Sequence, residues 1–299
     1  MPQQALPLEL LSLVVDFLRD DKEALKSMSL ASRTFLSLCR AQLFHTIRLN
    51  SLKPSFDAKC ASWAALLDKS TEVLSFLRTL ELGPSISCLH DRDPVLYDRH
   101  WDHVQSKGVP SIHTGLVQLL LLSAVNAQSI TLRFEYQLWK SFSIFFKQAL
   151  TNFLCCKSIT VLSLEDLVGF PLDILGSCRH LEDLSLVSIT MPEPFDARIP
   201  VPANPDPKFK RYLTSLTLFN SEDCVEPLIQ ALSHPRSNLC LSRLQRLSVN
   251  LTGSDGVVAM RKLPPIMQSI STLELRTDGV HGTSSPYSIS WYIPTLLRI

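Results

Sequence analysis

The chain has 299 residues, of which 45% are hydrophobic and 19% are charged, a composition typical of a folded protein rather than a disordered one. Its formal net charge is +1, so electrostatics give no reason to expect nucleic acid or an anionic membrane as a partner. The length suits one short module followed by one larger domain.

Residues 6–49 predict a helical module with more apolar surface than it can bury within itself. Its first helix should begin at Pro7, which is tolerated in a first turn, and run to about Arg19. The apolar residues of this helix cover an arc of roughly 200°, about twice what one packing neighbour needs. They are Leu10, Leu11, Leu13, Val14, Val15, Phe17 and Leu18.

Two more short helices are predicted in the module. Asp20 followed by Glu23 resembles a capping box for the second helix, and Ser32 should cap the third. About 40 residues rarely form a core of their own. The module is therefore expected to dock onto something.

The same stretch is similar to the F-box motif. It has an LPxE opening in LPLELL at 6–11, then Leu18 and Leu25, a Ser32-Arg33 pair, and a closing Leu43-Phe44 followed by Ile47. This resemblance implies binding to a Skp-family adaptor within a cullin-based SCF ubiquitin ligase. The adaptor-binding residues that it implies are Leu6, Pro7, Leu10, Leu11, Val14, Leu18, Leu25 and Phe44. Periodicity alone fits two interpretations equally well, an F-box and an N-terminal helical cap on a repeat array.

One pattern recurs beyond Leu49: an apolar residue, two others, an apolar residue, one other, and a third apolar residue. Its seven copies begin at Leu77, Ala127, Ile159, Leu181, Leu213, Leu244 and Ile270. The pattern is typical of leucine-rich repeats, in which each copy supplies one short parallel strand. The connectors have helical periodicity, and the predicted helices are Ala61–Phe76, His113–Asn126, Trp139–Cys155, Pro171–Cys178, Ser221–Ser233 and Val257–Ile270.

The predicted fold class is therefore α/β, with a three-helix F-box over residues 1–49. An irregular leucine-rich-repeat-like solenoid of parallel strands and helices should follow over residues 50–299. This second part resembles the repeat arrays that follow F-boxes in proteins of mushroom-forming fungi. An ordinary leucine-rich α/β domain whose strands happen to match the pattern is the alternative.

Two inserts interrupt the repeats. Residues 83–112 are polar and weakly periodic, which predicts a long surface loop. Residues 192–208 contain six prolines, which cannot join a sheet ladder and favour an extended, exposed loop. The first insert holds a metal-like group, His90, Asp91, Asp93, Asp98, His100, Asp102 and His103. Metal sites usually lie on rigid elements, so a solvated loop is the expectation and no metal is predicted.

The sequence offers no motif for catalysis or cofactor binding. It has no GxxxxGK[ST], GxGxxG or GxSxG sequence, so we expect no cofactor and no enzymatic activity of its own. The eight cysteines form no CxxC pair and are expected to be reduced and mostly buried. The longest apolar run, residues 115–127, is shorter than the roughly 20 residues of a membrane span. Without a basic signal segment, the cytosol or the nucleus is the expected compartment.

Recognition of a protein partner is the function that remains. Residues between the leucines of each strand should face away from the core, because side chains alternate along a strand. The candidates for target binding are Arg133, Glu165, Phe219, Arg246, Asn250, Glu274 and Arg276. We therefore predict a substrate receptor of an SCF-type ligase, which binds an adaptor, through it a cullin, and an unidentified target. The alternatives are a structural repeat protein capped by its N-terminal helices, and an F-box protein that never joins the cullin.

Overall fold

The computed structural model describes residues 7–49, 56–83, 114–124, 126–191, 211–234, 237–250, 269–277 and 287–292. The α-helices in these ranges are α1 Leu8–Phe17, α2 Lys22–Ala31, α3 Arg33–Leu43, α4 Phe56–Lys69, α5 Thr71–Phe76, α6 Thr114–Ser123, α7 Ile144–Leu154 and α8 Val225–Ser233. The strands are β1 Thr46–Leu49, β2 Thr79–Leu82, β3 Ser129–Leu138, β4 Val161–Val168, β5 Asp183–Val187, β6 Arg211–Tyr212, β7 Ser215–Phe219, β8 Leu239–Cys240, β9 Arg246–Asn250, β10 Thr272–Thr277 and β11 Tyr287–Tyr292. Short 3-10 helices span Trp139–Ser141, Leu172–Ser177 and Glu222–Cys224.

The three N-terminal helices form where the sequence predicts them, with one correction to the caps. The N-cap of α2 is Asp21 rather than Asp20, because the Ala24 backbone N–H donates to the Asp21 carboxylate at 2.9 Å. Glu23 therefore lies two residues after the cap and no capping box forms. Ser32 caps α3 as predicted, accepting a hydrogen bond from the Thr34 backbone N–H at 3.2 Å.

The main sheet has nine strands in the order β1-β2-β3-β4-β5-β7-β9-β10-β11. Neighbours are parallel from β1 through β10, and β11 pairs antiparallel with β10. All seven predicted strands are present and lie side by side in chain order. The strands β1 and β11 were not predicted. The described part of the chain is thus an α/β protein built on a parallel sheet.

The register of the sheet aligns its apolar residues into rows. One row takes a single residue from each of the eight parallel strands and comprises Ile47, Leu80, Ile130, Leu162, Leu184, Leu216, Leu247 and Leu273. All eight are buried. They form one hydrophobic cluster with the inward residues of the connecting helices, such as Leu67 of α4, Leu119 of α6 and Phe153 of α7. The helices therefore cover the leucine side of the sheet, and the intervening residues of each strand form the opposite side, called here the polar face.

The connectors differ from the predicted helices in detail. Ala61–Phe76 is two helices rather than one, because Ser70 caps α5 by accepting from the Val73 backbone N–H at 3.3 Å. The predicted helix Pro171–Cys178 is a 3-10 helix. Apart from the 3-10 turn at its start, Trp139–Cys155 is the α-helix α7. Most of Val257–Ile270, the proline-rich insert, and the first insert beyond Gly83 with its metal-like group lie outside the described residues.

Close helix packing and reduced cysteines complete the interior. A Cβ on Gly115 would meet the Asp57 carbonyl oxygen of α4, so glycine permits α4 and α6 to approach closely. The cysteines of the described residues are all free, and Cys39, Cys60, Cys178 and Cys224 are buried.

None of the described helices combines the length and the apolar character needed to cross a bilayer.

Candidate functional site

The N-terminal module buries little of its own apolar surface. Its buried cluster consists of Val15, Leu25 and Cys39, with neighbours such as Phe35 packed around them. Six large apolar side chains of α1 and α2 stay in contact with solvent. Four of them project from one side of α1 at about 100° per residue, and we call these four the apolar face: Leu10 (47% exposed), Leu13 (64%), Val14 (47%) and Phe17 (89%). Leu8 (59%) lies on another side of α1, and Leu30 (87%) belongs to α2. Because large apolar residues gathered on one small module mark an interaction site more often than isolated ones do, this face is the first candidate site.

The predicted adaptor-binding residues divide between this face and the interior. Leu10 and Val14 belong to the apolar face, and Pro7 is also exposed. Leu11 and Leu25 are 7% and 0% exposed, so the prediction that they present contact surface is corrected: both are buried, and Leu25 is part of the module's own cluster.

Two other predicted contacts are only half-buried, and one is not described. Leu18 packs against the module's own cluster. Phe44 packs against the core of the sheet, with its ring 6.3 Å from the ring of Trp63 in an edge-to-face arrangement. Phe44 thus joins the module to α4. Leu6 lies outside the described residues.

Four exposed contact candidates were not predicted from the sequence: Leu8, Leu13, Phe17 and Leu30. Leu13 and Phe17 lie on the 200° arc, so the excess width of that arc was a usable signal for them. Periodicity does not predict which half of the apolar arc of α1 is covered, because that depends on where α2 and α3 lie. Leu30 is predicted from the sequence to face inward with Leu25 and Met28, and this is wrong, because Leu30 is 87% exposed.

The second candidate site is the polar face of the sheet, on which arginines and carboxylates form ion pairs between strands. Arg133 Nε of β3 lies 2.5 Å from Glu165 Oε2 of β4, and the two side chains are only 18% and 7% exposed. The second carboxylate oxygen of Glu165 accepts a hydrogen bond from Ser163 Oγ at 3.3 Å. Glu165 was predicted to be an exposed target contact, and this is wrong: its carboxylate is buried and already bonded.

The remaining target candidates differ in accessibility. Arg246 is well exposed and pairs with Asp183 at 3.1 Å. Phe219 and Glu274 are half-buried. Asn250 and Arg276 occupy the corresponding positions in β9 and β10, opposite each other in the register, but their side chains lie outside the described part.

The titratable groups of the described residues do not indicate a reactive centre on either surface. Burial raises the pKa of the Cys39 thiol, and burial together with the Asp57 charge raises the pKa of Cys60 to about 12. Neutral, buried thiols of this kind are unreactive. The described ranges contain no cluster of three or more side chains able to hold a metal ion.

Comparisons of the chain with protein-family models, with curated proteins and with solved structures gave no match.

Proposed function

We propose that this chain is the substrate-receptor subunit of an SCF-type cullin ubiquitin ligase, acting in the cytosol or the nucleus. In this proposal α1–α3 are an F-box that binds a Skp-family adaptor, and the sheet with its helices belongs to a leucine-rich-repeat-like solenoid that holds a protein target. The catalytic steps take place in partner subunits. The receptor accelerates them by holding a target lysine near the reacting centre, which raises its effective concentration.

The observation that carries the proposal is the apolar face. It coincides with the stretch whose residues match the F-box pattern, and it presents four large apolar side chains on one side of α1. Fully burying one such side chain contributes about 1.5–3 kcal/mol. The fraction of each side chain that is still exposed, from 47% to 89%, therefore leaves roughly 0.7–2.7 kcal/mol per residue to be gained at an interface.

A capping module is the second candidate, and one observation favours it. Phe44 reaches the core of the sheet, and Arg40 of α3 pairs with Glu72 of α5 at 3.3 Å. These contacts couple the module to the first repeat, as a cap requires. A cap, however, should turn a polar outer surface to solvent, whereas Leu13 and Phe17 are 64% and 89% exposed. The apolar face therefore favours the receptor over the cap.

Paired substitutions test the proposal. Leu13→Asp and Phe17→Asp place a charge on the apolar face without touching the module's buried cluster, so the chain should fold and lose the adaptor. Leu121→Asp is the matched control, because Leu121 is 51% exposed but lies on α6. Each variant is co-expressed with a tagged Skp-family adaptor and the amount co-purified is measured.

We expect at least tenfold less Leu13→Asp or Phe17→Asp chain than Leu121→Asp chain on the adaptor. Equal recovery of all three variants would remove the apolar face as the adaptor site. Leu11→Asp is a poor test, since Leu11 is 7% exposed and its loss of binding could follow from unfolding.

A further inference from the structure

Four exposed cations lie at one edge of the main sheet, each in the segment just before a strand. Lys157, Arg179 and Arg211 each stand two residues before the first apolar residue of a repeat, and Arg243 stands one residue before it. The strands that follow them, β4, β5, β7 and β9, are adjacent and in register. We call these four residues the basic rim.

A histidine shows that three of these cations lie close together. Burial lowers the pKa of the half-buried His180 imidazole, and nearby positive charges lower it further. In order of effect these charges are Arg211, Lys157 and Arg179, whereas Glu182 acts in the opposite direction. Cations from three different repeats therefore act on one imidazole, so the basic rim is a single surface.

The fourth cation is held beside the others by an aromatic ring. Arg243 Cζ lies 4.0 Å from the centroid of the Tyr212 ring, and Tyr212 directly follows Arg211 in β6. Stacking fixes the plane of the guanidinium, while the N–H groups in that plane can still donate. Arg243 is therefore oriented in advance and loses less freedom when it binds a partner.

The side chains of the basic rim are available for an external partner. Among the described residues, none of the four makes an ion pair or donates a side-chain hydrogen bond. Arg78 is different, because it donates to the carbonyl oxygens of Ser75 at 2.7 Å and Leu77 at 2.9 Å, near the end of α5. Cations near helix ends often stabilise the fold in this way. The basic rim has no such bonds within the described part of the chain.

The basic rim concentrates positive charge in a chain that has almost none in sum. Its four cations have the exposed Glu182 as a negative neighbour, whereas the whole chain has a net charge of only +1. A local excess of one sign attracts and orients a partner of the opposite sign. The partner of this surface should therefore be negatively charged.

Two classes of anionic partner fit the basic rim poorly. A membrane-surface site needs apolar side chains to insert, but the large exposed apolar residues of the described ranges all lie on α1, α2, α4, α6 and the first turn of α7. Single-stranded nucleic acid is held by open aromatic faces on which bases stack. Arg243 already covers the ring of Tyr212. A protein segment is the remaining class.

We propose that the basic rim binds an acidic segment of the target, rich in Asp and Glu side chains. This inference names the chemistry of the bound segment and rests on the proposed function only in calling that partner a target. A carboxylate carries one charge and can accept two parallel hydrogen bonds from one guanidinium. Separate single charges suit cations that come from four neighbouring segments with Glu182 among them. A phosphate places a charge of about −2 at one point, where Glu182 would repel it.

Fluorescence anisotropy with the full chain and a fluorescein-labelled peptide of alternating Glu and Gly tests the inference. The control peptide has Gln in place of every Glu, which keeps the size and removes the charge. We expect the Glu peptide to bind at least about fivefold more tightly at about 0.1 M salt. Raising the salt to about 1 M shortens the Debye length from about 10 Å to about 3 Å and should remove most of this difference.

Two double variants locate the binding surface. Arg179→Gln with Arg211→Gln removes two cations of the basic rim and should weaken binding of the Glu peptide about 2- to 30-fold. Arg33→Gln with Lys59→Gln is the matched control, because it removes the same charge from exposed positions on α3 and α4. This control should leave binding nearly unchanged, since distant exposed charges are screened. Circular dichroism confirms that both variants are folded.

The outcomes that would overturn the inference are distinct. Equal binding of the Glu and Gln peptides, or equal effects of the two double variants, would exclude the basic rim as an acidic-segment site. Tighter binding of a labelled phosphoserine peptide or oligothymidine of the same formal charge would replace the acidic segment by a phosphorylated or nucleic-acid partner. The assay contains no adaptor, so its failure is separate from failure of the adaptor-binding assay.

Discussion

The buried ion pair between Arg133 and Glu165 permits a quantitative prediction about the stability of the polar face. The two partners are unequally buried, at 18% and 7% exposure of their side chains. Replacing Arg133 by Met leaves the buried Glu165 carboxylate without its charged partner and almost without access to water. Breaking a buried pair in this way costs about 3–5 kcal/mol. Replacing Glu165 by Leu leaves a longer and more accessible guanidinium, so the cost should be smaller, about 1–3 kcal/mol.

The double variant distinguishes the strength of the pair from the cost of breaking it. When both partners are replaced by apolar residues of similar volume, no buried charge remains, and the outcome is often neutral or stabilising. Arg133→Met with Glu165→Leu should therefore lie within about 1 kcal/mol of the natural chain. The exposed pair Arg246 and Asp183, at 62% and 36% exposure, is the matched control, and Arg246→Met should cost less than about 1 kcal/mol.

Urea unfolding followed by circular dichroism measures these free energies through the midpoint and slope of each transition. The expected order of destabilisation is Arg133→Met, then Glu165→Leu, then the double variant. If the double variant were less stable than either single variant, or if Glu165→Leu cost more than Arg133→Met, the account of this pair would be refuted.

Three further predictions concern the interior. Leu25→Ala should lower the free energy of unfolding of the N-terminal module by about 2–5 kcal/mol, because Leu25 is fully buried. Leu30→Ala, at an 87% exposed position, should lower it by less than about 0.5 kcal/mol. Hydrogen exchange of the α2 amides compares the two variants, and equal effects would contradict the packing. Gly115→Ala should lower the midpoint temperature of thermal unfolding, since the added Cβ would meet the Asp57 carbonyl oxygen. This clash should outweigh the preference of alanine over glycine in a helix, about 1 kcal/mol. A raised midpoint would show that α4 and α6 can separate. Burial, and to a lesser degree the Asp57 charge, raise the pKa of Cys60 from 9.0 to about 12. The neutral thiol therefore stabilises the fold below pH 9, and this contribution is lost as pH rises toward 12. In alkylation at pH 8 followed by mass spectrometry, Cys60 should be labelled far more slowly than the half-exposed Cys156, and equal rates would contradict its burial.

Much of the sheet was predictable because its signal is local and repeated. Each six-residue copy of the LxxLxL pattern places two apolar residues on one side of a short strand, and this was enough to locate β2 through β5, β7, β9 and β10. The strand β1 was missed although Phe44, Ile47 and Leu49 have the same spacing as the other copies, because the predicted F-box already included Phe44 and Ile47. Only two residues separate β1 from the end of α3, and its parallel pairing with β2 is what shows that it belongs to the sheet.

The candidate sites were less predictable because they depend on contacts between distant segments. Glu165 has the pattern of an exposed strand residue, and only its neighbour Arg133, 32 positions earlier in the chain, makes burial favourable. Likewise Leu11 and Leu13 are equally apolar, but in the folded chain Leu11 is 7% exposed and Leu13 is 64% exposed. Periodicity predicts that a helix has an apolar side. It does not predict which part of that side another helix covers.

The central claim is that the N-terminal module binds a Skp-family adaptor, and its most direct measurement is the mass of the complex. The full chain is co-expressed with the adaptor and analysed by size-exclusion chromatography with light scattering. The account predicts one species at the sum of the adaptor mass and the 33.6 kDa of the chain. Separate elution of the two proteins, with the chain soluble on its own, would contradict the claim and favour the capping module.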